Sequence, residues 1–254
     1  MTKLVGILNI TPNSFSDSGQ NYSPSDALAK INQLFTQGAD YVDIGAEATS
    51  YGAQLLTHEQ EWARLEPILT QIKPDRISID TYHPQTAAKA IAMGFTFIND
   101  VAGGKTEMLK VIAAHTHVKY VLMHSLVVPA DRNIRVKNIS EVYSWAEANI
   151  ERCLSMGIKP HQIIFDPGLG FTTHPEQSLQ IIKSCTELKK FGVATYIGHS
   201  RKTVFETLTS LPPSERDIET LAASLYMFGK VDYLRVHNVE MHARAFKVWD
   251  RLMA

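Results

Sequence analysis

The sequence predicts an α/β fold, a single (β/α)8 TIM barrel with its site at the C-terminal ends of the strands, and three observations carry the prediction. Eight short β-branched or apolar runs recur along the chain, each followed by an amphipathic stretch, at a spacing of roughly 20 to 40 residues, as βα units require. Several of those stretches stop at or just before a glycine (Gly38, Gly94, Gly157, Gly192, Gly229), which fits the left-handed residue that closes a helix. No Gly/Ser-rich linker, charge block or low-complexity tract divides the chain, so residues 1–254 read as one domain. A doubly wound open sheet is the alternative; it usually has fewer units and a Gly-rich dinucleotide fingerprint that is absent here.

In chain order the predicted strands are Leu4–Ile10, Tyr41–Gly45, Arg76–Asp80, Phe97–Asp100, Tyr120–His124, Ile163–Asp166, Thr195–Gly198 and Tyr233–His237. All are short and mostly apolar, as parallel strands buried on both faces are. Between them, helical patterns cover Ala27–Gln37, Glu59–Ile72, Gln85–Met93, Glu141–Met156, Glu176–Phe191, Ile218–Phe228 and Glu240–Leu252. Gly103-Gly104-Lys105-Thr106, after the fourth strand, is half of a phosphate-binding loop. Asn99 stands where the first glycine of that motif belongs, so the segment reads as a loop and helix start.

Composition narrows the partners. The 254 residues are 44% hydrophobic and 20% charged, enough to bury a core and far from a disordered chain. A net charge of -1 gives no global field toward nucleic acid or an anionic membrane. Cys153 and Cys185 are too few for a disulfide framework or a four-cysteine zinc site, and no secretory or membrane segment is legible, so the expected location is cytoplasmic. The glycosylation-type triplets at Asn9, Asn21 and Asn138 are then chance matches.

In a parallel barrel the site is assembled at the C-terminal ends of the strands. The polar residues there are Asn9, the loop Glu47-Ala48-Thr49-Ser50, Asp80, Asn99-Asp100, His124, Asp166, Ser200-Arg201-Lys202, Arg235 and His237. Carboxylates and amides pair with ring N–H, amino and oxo groups, while cations and a metal ion hold phosphate oxygens. The collection therefore suits a ligand with both a heteroaromatic edge and an anionic group. Ser200 lacks a G-x-S-x-G elbow and no H-E-x-x-H is present, which disfavours covalent hydrolysis and zinc catalysis. Taken singly, a polar strand-end residue is more often a turn former or helix cap than a ligand contact; taken together they point to a site. His115, His117 and Glu215–Asp217 are read as structural or solvated groups, and Arg201 as surface charge with at most a weak part in the site.

The strand ends spell GILNITPNSFSDSG at 6–19, DIGAEATSYGA at 43–53, SIDTY at 78–82, FIND at 97–100, LMH at 122–124, DPGLGF at 166–171, GHSRKT at 198–203 and RVHNV at 235–239. In this order and over nearly the whole chain they resemble dihydropteroate synthase. The resemblance implies joining of p-aminobenzoate to a dihydropterin carrying a methylene diphosphate, with release of pyrophosphate, Mg2+ as cofactor and a homodimer. It assigns Asp80, Asn99, Asp166, Lys202, Met123, Gly198 and Phe171 to the pterin, and Asn9, Thr49, Arg235 and His237 to the diphosphate, with Asn9 at the metal. Ser200, Lys202, Phe171 and Phe15 fall to p-aminobenzoate. Lys202, Asp17, Phe15, Arg235 and His237 are the expected catalytic groups, Phe15 and Asp17 lying in a closing loop over Thr11–Gly19.

The chain departs from that family's pattern at Ser50 and Tyr51, where Arg-Pro is usual, and at Asn13, Ala46, Thr172 and Asn238. A missing charge-assisted contact costs about 1.5–3 kcal/mol unless it is replaced. Two other readings fit these residues: a pterin-binding paralogue without turnover, and a methyltetrahydrofolate-binding methyltransferase-type domain.

Overall fold

The computed structural model describes residues 2–10, 23–49 and 51–253. Eight parallel strands, β1 (Lys3–Asn9), β2 (Tyr41–Gly45), β3 (Ile77–Asp80), β4 (Phe97–Asp100), β5 (Lys119–Met123), β6 (Ile163–Asp166), β7 (Ala194–Ile197) and β8 (Tyr233–Val236), close into a barrel in chain order. Helices α1 (Pro24–Thr36), α2 (His58–Leu69), α3 (Pro84–Ala92), α4 (Thr106–Ala113), α5 (Ile139–Ser155), α6 (Pro175–Lys183), α7 (Asp217–Met227) and α8 (Val239–Met253) follow the strands in turn. The expected barrel is therefore present.

Local chemistry sets the helix ends. Ser23 and Thr57 close capping boxes with Asp26 and Gln60 at the starts of α1 and α2. Asn138, one of the three triplet asparagines, caps α5 by accepting from Ser140 N at 3.1 Å. The five glycines expected just past helix ends all have positive φ. One predicted helix breaks: Glu176–Phe191 is α6 followed by a 3-10 segment over Cys185–Phe191. Ser184 sits between them at φ -101°, ψ 23°, its backbone N–H and its hydroxyl both donating back to Gln180 O at 3.0 Å, which closes the last turn of α6.

Two apolar layers hold the barrel. Val5, Phe97, Val121, Ile164 and Tyr196 fill its inner floor, while a larger core lies between strands and helices. Side chains alternate across a strand. Stepping by two from the inner layer brings Val5 to Asn9, Phe97 to Asn99, Val121 to Met123, Ile164 to Asp166, Tyr196 to Gly198, and Tyr233 to Arg235 and His237. Asn9, Gly45, Asp80 and Asn99 are successive register partners, and Met123 pairs with Asp166.

The same alternation corrects two members of the strand-end collection. Asp100 faces the helix layer, where it is fully buried and accepts from Tyr120 Oη at 2.6 Å, Ala102 N at 2.7 Å and Gly104 N at 3.2 Å. It fixes the Gly103-Gly104 turn that opens α4. His124 is likewise buried, 5.0 Å edge-on from Trp145 of α5, and burial pushes its pKa down to about 4.

Candidate active site

At the C-terminal mouth of the barrel is a cavity of about 570 Å³. Asn9, Thr49, Asp80, Asn99, Met123, Asp166, Phe171, Gly198, Ser200, Lys202, Arg235 and His237 all line it, so the residues that the resemblance assigns within the described stretches converge on one place, without Asp100 and His124. Phe15, Asp17, Ser50 and the Thr11–Gly19 loop lie outside the described residues.

The floor is a charge network. Arg235 donates from Nε to Asp43 Oδ2 at 2.6 Å and from Nη2 to Asp80 Oδ2 at 2.8 Å. Asp43 also accepts from Asn99 Nδ2 at 2.9 Å, which orients that amide. Burial, with Asp43 close by, pushes the Asp80 pKa up to about 7 even though Arg235 opposes the shift. Asp166 accepts from Gly168 N at 2.8 Å, and burial lifts its pKa to about 6 against the pull of Lys202. Lys202 donates to Leu169 O at 2.8 Å, lies 4.8 Å over the Phe171 ring, and is drawn down to about 8 by burial. Gly198 keeps this centre open: a Cβ there would stand 3.7 Å from both Asp166 Oδ2 and Lys202 Nζ, in the space between them.

Above the floor, Ser200 and His237 hold each other. The His237 amide donates to Ser200 Oγ at 3.2 Å, and that hydroxyl lies 2.9 Å from His237 Nδ1. Burial, with Arg201 and Arg235 nearby, drives His237 down to about 3. The imidazole is therefore neutral at pH 7; where Ser200 O–H donates to Nδ1 the ring proton is on Nε2, and where Nδ1–H donates to Ser200 Oγ the Nε2 is an acceptor. Arg201 forms a bidentate pair with Asp217 at 2.7 and 2.9 Å, in keeping with a structural role.

Asp43 is the residue bonded to the candidate site that the strand-end rule misses. It lies two residues before the end of β2, fully buried, and yet it joins Asn99 and Arg235. The signal was a lone carboxylate inside the apolar run Tyr-Val-Asp-Ile-Gly, since a buried charge needs a partner. Arg132, Arg135 and Arg216 also line the cavity from loops after β5 and β7, where no strand periodicity points to them.

Two places bear on a metal. Glu47, Glu61 and His83 bring ligand atoms within 4.8 Å of one another. Their acceptors are already engaged: Glu47 takes Tyr82 Oη at 2.7 Å, Leu56 N at 2.8 Å and His83 Nε2 at 3.1 Å, and Glu61 takes Thr81 Oγ1 at 2.7 Å. The cluster is a clasp between the loops after β2 and β3, and its imidazole is a poor match to Mg2+, which prefers oxygen. Asn9 offers an amide oxygen on the exposed cavity wall. One such donor suits Mg2+, which keeps several waters and takes its other ligands from a bound phosphate group.

Comparison with known proteins places this architecture. The pterin binding enzyme family matches residues 5–237. The folate synthesis bifunctional protein of Chlamydia caviae is 39% identical over 259 aligned residues, which cover 96% of this chain but 58% of that protein's length. The dihydropteroate synthase of Anaplasma phagocytophilum, solved with bound 6-hydroxymethylpterin-monophosphate, superposes with a TM-score of 0.88 at 32% identity over 99% of both chains. That of Xanthomonas albilineans, solved with 4-aminobenzoic acid, gives a TM-score of 0.91 at 30% identity over 100% of this chain and 93% of its own. The chain belongs to the pterin-binding enzyme family, and its closed eight-stranded barrel is the fold of the dihydropteroate synthases.

Proposed function

We propose that the protein is a dihydropteroate synthase, a transferase that condenses a dihydropterin methylene diphosphate with p-aminobenzoate and releases pyrophosphate. The observation that carries this reading is the convergence of Asp80, Asn99, Asp166 and Lys202 on the cavity floor beside Arg235 and His237. The first four match the donor and acceptor edge of a pterin, and the last two match an anionic leaving group. The pterin and 4-aminobenzoic acid in the Anaplasma and Xanthomonas structures support the same pair of ligands.

In this reading Asp166 accepts from the ring N–H and amino groups, Asn99 is held ready by Asp43, and Lys202 donates to the oxo side while packing on Phe171. Met123 and Gly198 shape the slot. Breaking the carbon–oxygen bond leaves a methylene cation that the electron-rich dihydropterin delocalises, and the surrounding carboxylates favour that charge. The aniline nitrogen is already a nucleophile, so the site needs to orient it and exclude water. Ser200, Phe171 and Lys202 form the wall for p-aminobenzoate. Arg235, Thr49 and His237 face the diphosphate with Asn9; Mg2+, when bound there, neutralises charge on the leaving group. Phe15 and Asp17 are assigned to the same machinery on the family resemblance alone.

We assign residues 1–254 to one pterin-binding barrel domain, acting in the cytoplasm, with neither nucleic acid nor membrane as partner. No helix among the described residues is long and apolar enough to cross a membrane. The homodimer is supported by the apolar residues left exposed on α7 and α8, Ile218, Tyr226, Val248 and Leu252.

The test is pyrophosphate release from dihydropterin diphosphate with Mg2+, with and without p-aminobenzoate, the product identified by mass. Amine-dependent release with dihydropteroate formation is the expected result. Pterin binding without release would instead mark a paralogue that has lost turnover.

A further inference from the structure

We propose that Arg132, on the loop between β5 and α5, supplies the cation that meets the departing diphosphate at the cavity mouth. The inference rests on the synthase reading and names a contact within it. An anion entering this cavity meets a floor whose positive charges are already compensated. Three carboxylates, Asp43, Asp80 and Asp166, face two cations, Arg235 and Lys202, and His237 is neutral. Arg201 is paired with Asp217.

The remaining arginines on the wall differ in what holds them. Arg216 donates to Leu211 O at 2.8 Å and Lys202 O at 3.2 Å, and Arg135 donates to Phe171 O at 2.6 Å and Asp131 O at 3.2 Å. Arg132 is exposed, lines the cavity, and has no carboxylate or carbonyl partner among the described residues; its contact is with the face of Tyr51, 4.8 Å from the ring centroid. The neighbouring Asp131 carboxylate is turned onto Asn133 N at 2.8 Å. A guanidinium stacked on an aromatic face keeps its in-plane N–H groups free for an anion.

The loop is also anchored where the contact is needed. Ala130 N donates to Thr49 O at 2.9 Å, and Val136 N donates to Thr172 O at 2.9 Å, so the segment bridges the loops after β2 and β6. Ala130, two residues before Arg132, is thus tied to Thr49, and Arg132 and Thr49 line the same cavity, whose Thr49 wall is assigned to the diphosphate. A diphosphate, with more charge than one carboxylate and oxygens that accept bidentate pairs, is the group that draws it in.

Inorganic pyrophosphate with Mg2+ is the binding probe, titrated by calorimetry into the wild type, Arg132→Ala, Arg132→Lys and Tyr51→Ala, beside steady-state kinetics. Arg132→Ala is expected to weaken pyrophosphate binding about tenfold or more and to raise KM for the dihydropterin diphosphate, with KM for p-aminobenzoate unchanged. Arg132→Lys restores part of the affinity, and Tyr51→Ala loses part of it. Unchanged pyrophosphate affinity in Arg132→Ala, no pyrophosphate binding by the wild type, or a rise in KM for p-aminobenzoate instead overturns the proposal. Pyrophosphate binding that depends on Arg132 in a protein with no amine-dependent turnover would leave this contact standing and remove the synthase reading.

Discussion

Asp43 shows how one buried carboxylate fixes a site it does not line. It is fully buried, and its Oδ2 accepts from both Asn99 and Arg235, so two cavity side chains take their orientation from it. Asp43→Ala leaves a guanidinium and an amide buried beside an apolar methyl. Removing one partner of a buried pair costs about 3–5 kcal/mol, and the retained Asp80 contact keeps the value near the lower end. The check is a denaturant midpoint; a loss within error of zero would mean that Arg235 is held by Asp80 alone. Asp166 carries a second prediction at this scale. Its pKa is lifted to about 6, so the acceptor-only carboxylate predominates above that pH and the protonated acid below it. Pterin affinity is expected to fall as pH is lowered through about 6, approaching tenfold per unit below it. Asp166→Asn is expected to weaken binding at pH 8 and to remove the Asp166 share of that fall, leaving the share of Asp80, whose pKa is pushed up to about 7, both read by calorimetry across pH.

At the scale of elements, the loop after β6 turns a strand end into a binding edge. Gly168 has φ 66°, and a Cβ on it would lie 2.0 Å from the His124 carbonyl oxygen, an overlap that backbone on both sides cannot relieve. Its amide also donates to Asp166 Oδ1. Gly168→Ala is therefore expected to destabilise by roughly 3 kcal/mol and to misplace Asp166, so that the denaturant midpoint and pterin affinity fall together. Much of this level was legible beforehand. Eight apolar runs marked the strands because parallel strands buried on both faces are mostly apolar, and the polar residue ending a run marked much of the cavity lining. The rule failed where it ignored which way a residue points. Asp100 and His124 are one step out of phase with Asn99 and Met123 and so face the helices. Asp43 is in phase but one inward step deeper, hidden by its position inside the run. The break after α6 falls at Ser184, whose backbone leaves the helical region at φ -101°, ψ 23°, a change that the apolar periodicity does not register. Arg132 sits on a loop whose course depends on backbone bonds to Thr49 and Thr172, both distant in sequence.

For the whole molecule, the barrel concentrates its charge chemistry at one end and leaves an apolar stripe on its side. On α8, Met241, Ala245, Val248 and Leu252 recur at i, i+4, i+7 and i+11, one face of a helix, and Val248 and Leu252 are 59% and 76% exposed. Such a stripe, next to the groove lined by Met241, Arg244, Ala245 and Val248, fits an isologous contact in which α8 meets its own copy. Twofold symmetry applies any change at the stripe to both copies at once. Val248→Glu places two carboxylates in an interface that needs roughly 1,000 Å² of good packing to persist, while touching nothing in the cavity wall. Equilibrium sedimentation is expected to give a dimer for the wild type and a monomer for Val248→Glu, with far-ultraviolet dichroism unchanged. A wild type that sediments as a single chain at every concentration would remove the dimer assignment, and a variant that stays dimeric would move the interface off α8.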